Sequence, residues 1–172
     1  MNHLIFVLDT TIAFAASKAK KENSASRAVL MAILENNFSI GFSRTLRAEW
    51  RTHQKNIGFA EQWLASMVGR KKFELRNDLS NKKIREAIES CTMANSKKDA
   101  MKKDTHVLEA AVDFDCALLS HDNSARSAFS SLASDLEFLR GVVWIDPNTI
   151  QGISGWFKTG TPKSPGHYLG AE

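Results

Sequence analysis

Two acids in this 172-residue chain stand where short apolar runs stop. Asp9 follows Leu4–Leu8 (LIFVL), and Asp122 lies just past Cys116–Ser120 (CALLS). Continuous apolar runs of this length, partly β-branched, read as strands of a parallel sheet covered on both faces. In such a sheet, ligands collect in the crevice outside the carboxyl ends of the strands. Two carboxylates at two such ends would converge, and like charges brought together either raise a pKa or require a cation. Oxygen-only ligands of this kind suit Mg²⁺ or Mn²⁺ rather than zinc. Two further acids can reach the same place. Glu49 is flanked by the apolar Leu46 and Trp50, and Asp104 opens the turn Asp104–Leu108 ahead of residues that must face a core. Each has a bland alternative: a strand-end turn for Asp9, a helix cap for Asp122, a solvated helix acid for Glu49, and an ion pair with Lys103 or Lys97 for Asp104.

The elements that would position these residues alternate in type. After the first strand, Ser26 can cap a helix carrying Val29, Leu30, Ile33 and Leu34 at helical spacing. Phe38–Phe42 (FSIGF) reads as a second strand, Ser43 as the start of a helix through Glu49 and Trp50, and Phe59–Val68 as another helix. The stretch 81–114 is helix-rich, with Ile84, Ala87, Ile88 and Cys91 on one face. The third strand is Cys116–Ser120, Ser124–Ala133 is helical, and Val142–Ile145 (VVWI) is a last strand stopped by Pro147. Strands alternating with helices predict an α/β domain with a mostly parallel sheet over residues 1–150. The segment 151–172 holds five of the nine glycines and two of the three prolines, so it forms no long element. Trp156, Phe157 and Tyr168 could pin it to the body as a strap; a plain tail is the other expectation.

Composition removes several classes. With 43% hydrophobic and 24% charged residues, the chain is neither disordered nor fibrous. Two cysteines, Cys91 and Cys116, can supply neither a disulfide framework nor a zinc cluster and read as reduced thiols of a cytoplasmic protein. No apolar run approaches the roughly 18 residues that span a bilayer. Met1–Ala16 ends in an A-x-A-like pattern but lacks a basic start and contains Asp9, so a buried strand is expected there instead of a signal peptide. The formal charge is +4, and with the four candidate acids set aside 15 of the 19 acids remain against 23 bases. Arg44, Arg47, Arg51 and Lys55 recur at helical spacing around Glu49, and Arg126 follows Asp122 by one helical turn. Such bases give sequence-independent affinity for phosphates.

In this order, the four acids resemble the PIN-domain ribonucleases, particularly the small VapC-like toxins of toxin–antitoxin pairs. The likeness runs from Leu4 to Pro147. An apolar strand ending in Asp-Thr-x (Asp9-Thr10-Thr11) looks like the family's opening, with Thr11 where Asn is common. Glu49, on a helix after strand two, matches the second acid. Asp104 in Asp104-Thr105-His106-Val107-Leu108-Glu109-Ala110-Ala111 matches the third. Asp122 in Leu118-Leu119-Ser120-His121-Asp122, 18 residues on, matches the fourth.

The resemblance implies a three-layer α/β/α fold and a metal-dependent endoribonuclease. It further implies Mg²⁺ or Mn²⁺ held by Asp9, Glu49, Asp104 and Asp122. Thr11, Ser120, Arg47 and Arg126 are expected to contact phosphate or support the ligands. RNA is the implied substrate, with a homodimer and, for a toxin, an antitoxin protein as partners. Trp50 and the pair Phe59–Trp63 offer either a dimer face or core. Two rivals stand beside this reading. A haloacid dehalogenase-type phosphatase would need a second Asp at position 11, which is Thr. A non-catalytic PIN-fold binding or scaffold module would have lost acids that are all present. His121, next to Asp122, is expected to point away from the acids as a structural residue.

Overall fold

A computed structural model describes residues 4–18, 24–78, 80–159 and 165–170. Its centre is an all-parallel sheet of five strands: β1 (Ile5–Leu8), β2 (Ser39–Ser43), β3 (Phe73–Arg76), β4 (Ala117–Leu119) and β5 (Trp144–Ile145), in the order β3-β2-β1-β4-β5. From β1 the chain first builds outward through β2 and β3, then returns to lay β4 against the other side of β1. The order therefore reverses between β1 and β4, which opens a crevice at their carboxyl ends.

Helices cover both faces, giving three layers. On one face α1 (Thr10–Lys18), α2 (Ala25–Glu35), α4 (Gly58–Gly69) and α8 (Ile153–Lys158) pack together. On the other, α6 (Asn95–Phe114) touches β1, β2 and β4 and is flanked by α5 (Lys82–Ser90) and α7 (Asn123–Ala133). Between the layers, α3 (Arg44–Thr52) touches both α1 and α6. Phe6, Val7, Leu8, Ile40, Phe42, Leu118 and Leu119 are all but fully buried, as strands covered on both faces require.

Several expectations change in detail. The first strand stops at Leu8, and Thr10–Lys18 is helix; Ile12, Ala13 and Ala16 fall on its buried side at helical spacing. Ser24 caps α2 in place of Ser26, accepting from Arg27 N–H. β3 lies in text without a strand signal, because its burial is only partial and two of its four residues are charged. The helix-rich stretch breaks at Cys91, so Asp104 sits in the middle of α6 and does not open a turn. Trp50 and Trp63 are core residues and Phe59 packs against the core, so none of the three is a free dimer face. Cys91 and Cys116 are free and partly buried, and burial pushes the Cys116 thiol up to about 12. Among the described residues no helix is long and apolar enough to cross a membrane.

In the last segment, Phe157 of α8 is buried against Phe6 and Phe38, with ring centroids 5.4 and 6.0 Å away. Tyr168 bridges Val143 in antiparallel fashion, and Leu169 N–H donates to Val142 O at 2.9 Å. The described part of this segment is thus a strap on the body. Val142 and Val143 carry these contacts, while Trp144 and Ile145 stand in register with β4, whose Leu118 N–H also donates to Val143 O at 2.9 Å.

Candidate active site

Asp9 leaves β1 at the crevice, its N–H donating to Leu119 O of β4 at 2.9 Å. Its carboxylate is oriented by two hydroxyls: Thr11 Oγ1 donates to Oδ2 at 2.6 Å and Ser120 Oγ donates to the same oxygen at 2.7 Å. Ser120 Oγ also accepts Asp122 N–H at 3.0 Å, so one buried hydroxyl ties the two strand-end acids together. Asp122 uses Oδ1 to cap α7 through Ala125 N–H at 2.7 Å. Asp104 comes up from α6 on the opposite layer. Burial first, and then the charges of Asp9 and Asp122, raise its pKa to about 6, against a weaker pull from Lys103 and His106. Asp104 is therefore close enough to two of the other expected acids to feel their charge.

Glu49, the fourth, has its own cation. His106 Nε2 donates to Glu49 Oε2 at 2.8 Å, and His106 Nδ1 lies 3.0 Å from Lys103 O. Both ring nitrogens face acceptors, and only imidazolium donates from both. The His106 pKa is accordingly raised: burial lowers it, but the hydrogen bond and charge of Glu49 outweigh that. Glu49 is held below the usual carboxylate range chiefly by the same bond, with burial opposing. The Thr10 hydroxyl, buried and short of a well-formed hydrogen bond, also favours the charged carboxylate.

Of the other candidates, Arg47 is engaged by Glu61 in a two-pronged pair at 2.9 and 3.3 Å. Arg126 donates to Gly166 O at 2.6 Å and so holds the strap. Thr11 and Ser120 sit against the acids, as expected of supporting groups.

Asp146, which is not among the four expected acids, closes β5 just as Asp9 closes β1; its signal was the same strand-end position after VVWI. Burial works against its charge, but hydrogen bonds from Asn123, Asn148 N–H and His121 prevail, and its pKa is lowered. His121 Nδ1 is 2.8 Å from Asp146 Oδ1, and its Nε2 bonds Ser26 Oγ. The connectivity Ser26–His121–Asp146 is that of a nucleophile relay. Ser26, however, is only 1% exposed at the wall of a groove, which offers almost none of its hydroxyl to an electrophilic carbon. The relay instead ties the start of α2 to the ends of β4 and β5, and His121 is structural. Its backbone N–H donates to Thr11 Oγ1 at 3.2 Å, joining this network to Asp9.

Among the described residues, no group of three or more His, Cys, Asp or Glu side chains is arranged so that it could hold a metal ion. The donor chemistry still fits a hard divalent ion. Asp9, Asp104 and Asp122 offer only oxygens, and burial, together with the charges of Asp9 and Asp122, raises the Asp104 pKa. No family model matches the chain, and no curated protein or solved structure matches it.

Proposed function

We propose that this chain is a metal-dependent endoribonuclease of the PIN-domain kind, acting in the cytoplasm on RNA. The observation that carries the reading is the meeting of Asp9, Asp104 and Asp122 at the strand-order reversal. Ser120 joins two of them, and among the described residues no imidazole is bonded to any. Asp9, oriented by Thr11 and Ser120, would be the central ligand of Mg²⁺ or Mn²⁺. Asp104 and Asp122 would complete the set, and Glu49, held by His106, would reach it from α3. When bound, the ion supplies Lewis-acid polarisation of a phosphodiester and acidifies an attacking water. The chain's own contribution is to hold carboxylates charged and fixed, so that little reorganisation accompanies charge development on the phosphate. Arg44, Arg51 and Lys55, exposed on and after the helix that carries Glu49, are bases available to the RNA backbone. A homodimer and, in a toxin–antitoxin setting, an antitoxin partner accompany this reading by resemblance.

The test is cleavage of a mixed, end-labelled RNA pool with Mg²⁺ or Mn²⁺, with EDTA, and with Asp9→Asn protein. Cutting that needs metal and disappears in the variant supports the reading. Metal-dependent cutting that survives Asp9→Asn places the chemistry elsewhere. No metal binding by calorimetry and no cutting leaves a binding module.

A further inference from the structure

Beside the acids, a groove of about 670 Å³ runs between α1, the start of α2 and the turn after β5. Its walls include Thr11, Phe14 and Lys18 from α1, Ser24 ahead of α2, and His121 and Asn148 from the sheet crest. Three properties separate it from the other clefts of the molecule. First, among the described residues no acid lines it, whereas the clefts around Arg85 and Lys82–Lys83 both contain Glu109 and Asp113. Second, it is continuous with the catalytic crest: Thr11, which forms one wall, donates to Asp9 at 2.6 Å and accepts from His121 N–H. Third, its polar and aromatic groups are paired in space, for Lys18 Nζ stands 5.6 Å from the centre of the Phe14 ring.

We infer that this groove seats a nucleotide of single-stranded RNA next to the scissile phosphate, its base against Phe14 and its phosphate toward Lys18, Ser24 and Asn148. This rests on the nuclease reading. The volume lies in the range of about 300–1,000 Å³ typical of small-ligand clefts, which suits one nucleotide unit and not a duplex. An unpaired base presents a face that stacks on an aromatic ring whatever its identity. A base on Phe14 takes the place of the Lys18 Nζ that lies over the ring, and turns the ammonium toward its own phosphate. The hydroxyl of Ser24 and the amide of Asn148 can donate to phosphate oxygens, with no carboxylate in the described walls to repel them. His121, held by Asp146 and Ser26, makes the floor of the groove rigid.

The experiment is steady-state cleavage of a short labelled RNA by wild type, Phe14→Ala, Lys18→Glu and, as a control in another cleft, Lys83→Ala. Expected are rises in KM of about tenfold for Phe14→Ala and Lys18→Glu with kcat within about twofold, and no change for Lys83→Ala. The Lys18→Glu effect should shrink as salt increases. Lys18 is exposed, so its variant folds even if Phe14→Ala is weakened by the lost contact with His53. If wild type cleaves and both variants keep its KM, the groove assignment is wrong while the nuclease reading stands. If wild type does not cleave, fluorescence anisotropy of the same RNA in EDTA decides. Binding lost in Lys18→Glu keeps the groove as an RNA site without the nuclease; equal binding, or none by wild type, overturns it.

Discussion

Five acids gather at the carboxyl edge of the sheet, and they fall into two regions. Glu49 and Asp146 each lie against an imidazole, at 2.8 Å in both cases, and both have lowered pKa values. Asp9, Asp104 and Asp122 have hydroxyls, backbone and one another, and the Asp104 pKa is raised. Where a fold needs an acid for its own cohesion, it supplies hydrogen-bond donors from within; Asp146 shows this by joining β4, β5 and α2 through Asn123 and one histidine. Where acids are packed together with too little counter-charge, the fold gives up stability, and in the proposed function a bound ion makes up the difference. The proposed nuclease function rests on that contrast.

The contrast breaks first on activity. Asp9→Asn should lower metal-dependent RNA cleavage on the order of 10³-fold, the scale of a lost ligand contributing several kcal/mol to the transition state. Glu49→Gln should cost less, about 10–100-fold, because Glu49 is anchored to His106 and not to the trio. Equal losses in side-by-side initial rates would put Glu49 among the central acids and dissolve the division. The second handle is the cation. Mg²⁺ at about 100 times its Kd should stabilise wild type by roughly 2.7 kcal/mol. For a chain of this size that is a rise in Tm of about 5–10 °C, while Asp9→Asn should show little response. A wild-type melting curve indifferent to Mg²⁺ and Mn²⁺ would mean that the trio is not an ion site.

The paired region is tested by stability. Asp146→Asn removes a buried charge that accepts from His121, Asn123 and the Asn148 backbone, and should cost about 1–3 kcal/mol in thermal or urea unfolding. Since the Asp146 pKa is lowered, its contribution is present above the ordinary carboxylate pKa and is lost as pH falls through the lowered value. Ser26→Ala should behave as a mild structural variant. If it abolished an activity without loss of stability, the Ser26–His121–Asp146 relay would be catalytic and not structural.

How much of this could be read from residues follows from how local each signal is. Asp9 and Asp122 were legible because an apolar run ending in an acid is a local pattern, and the parallel sheet brings strand ends together. Asp146 had the same pattern after VVWI, hidden only by the neighbouring Pro147. β3 carried no pattern: as a four-residue edge strand with Glu74 and Arg76 it buries too little to show alternation. α1 was masked because its apolar positions run on from those of β1, although Ile12, Ala13 and Ala16 already had helical spacing. The partners are another matter. That His106 would meet Glu49, or His121 meet Ser26, depends on contacts 57 and 95 residues apart in the chain. Arg47 and Arg126 show the converse: their helical spacing placed them near the acids, but Glu61 and Gly166 O, distant in sequence, engage them instead.

The smallest effect is the most discriminating, because it concerns the metal-free protein and needs no substrate. Asp104 has a folded pKa raised to about 6 from 3.8, so folding favours its protonated form. Well below its unfolded pKa of 3.8 the residue is protonated in both states and costs nothing. As pH rises through 6 the folded protein must carry a third charge at the crest, and stability falls. Asp104→Asn removes that charge with little change of shape. The variant should match wild type at about pH 3 and exceed it at pH 7 by about 1 kcal/mol once solvent screening of a half-buried group is allowed for. That corresponds to a Tm gain of roughly 2–4 °C in EDTA. Saturating Mg²⁺ should reverse the ranking, since wild type gains the ion's binding energy and the variant keeps little of it. A variant less stable than wild type at pH 7 in EDTA would show that the pull of Lys103 and His106 on Asp104 outweighs burial and the other acids. The trio would then belong with Glu49 and Asp146, as acids the fold keeps for itself.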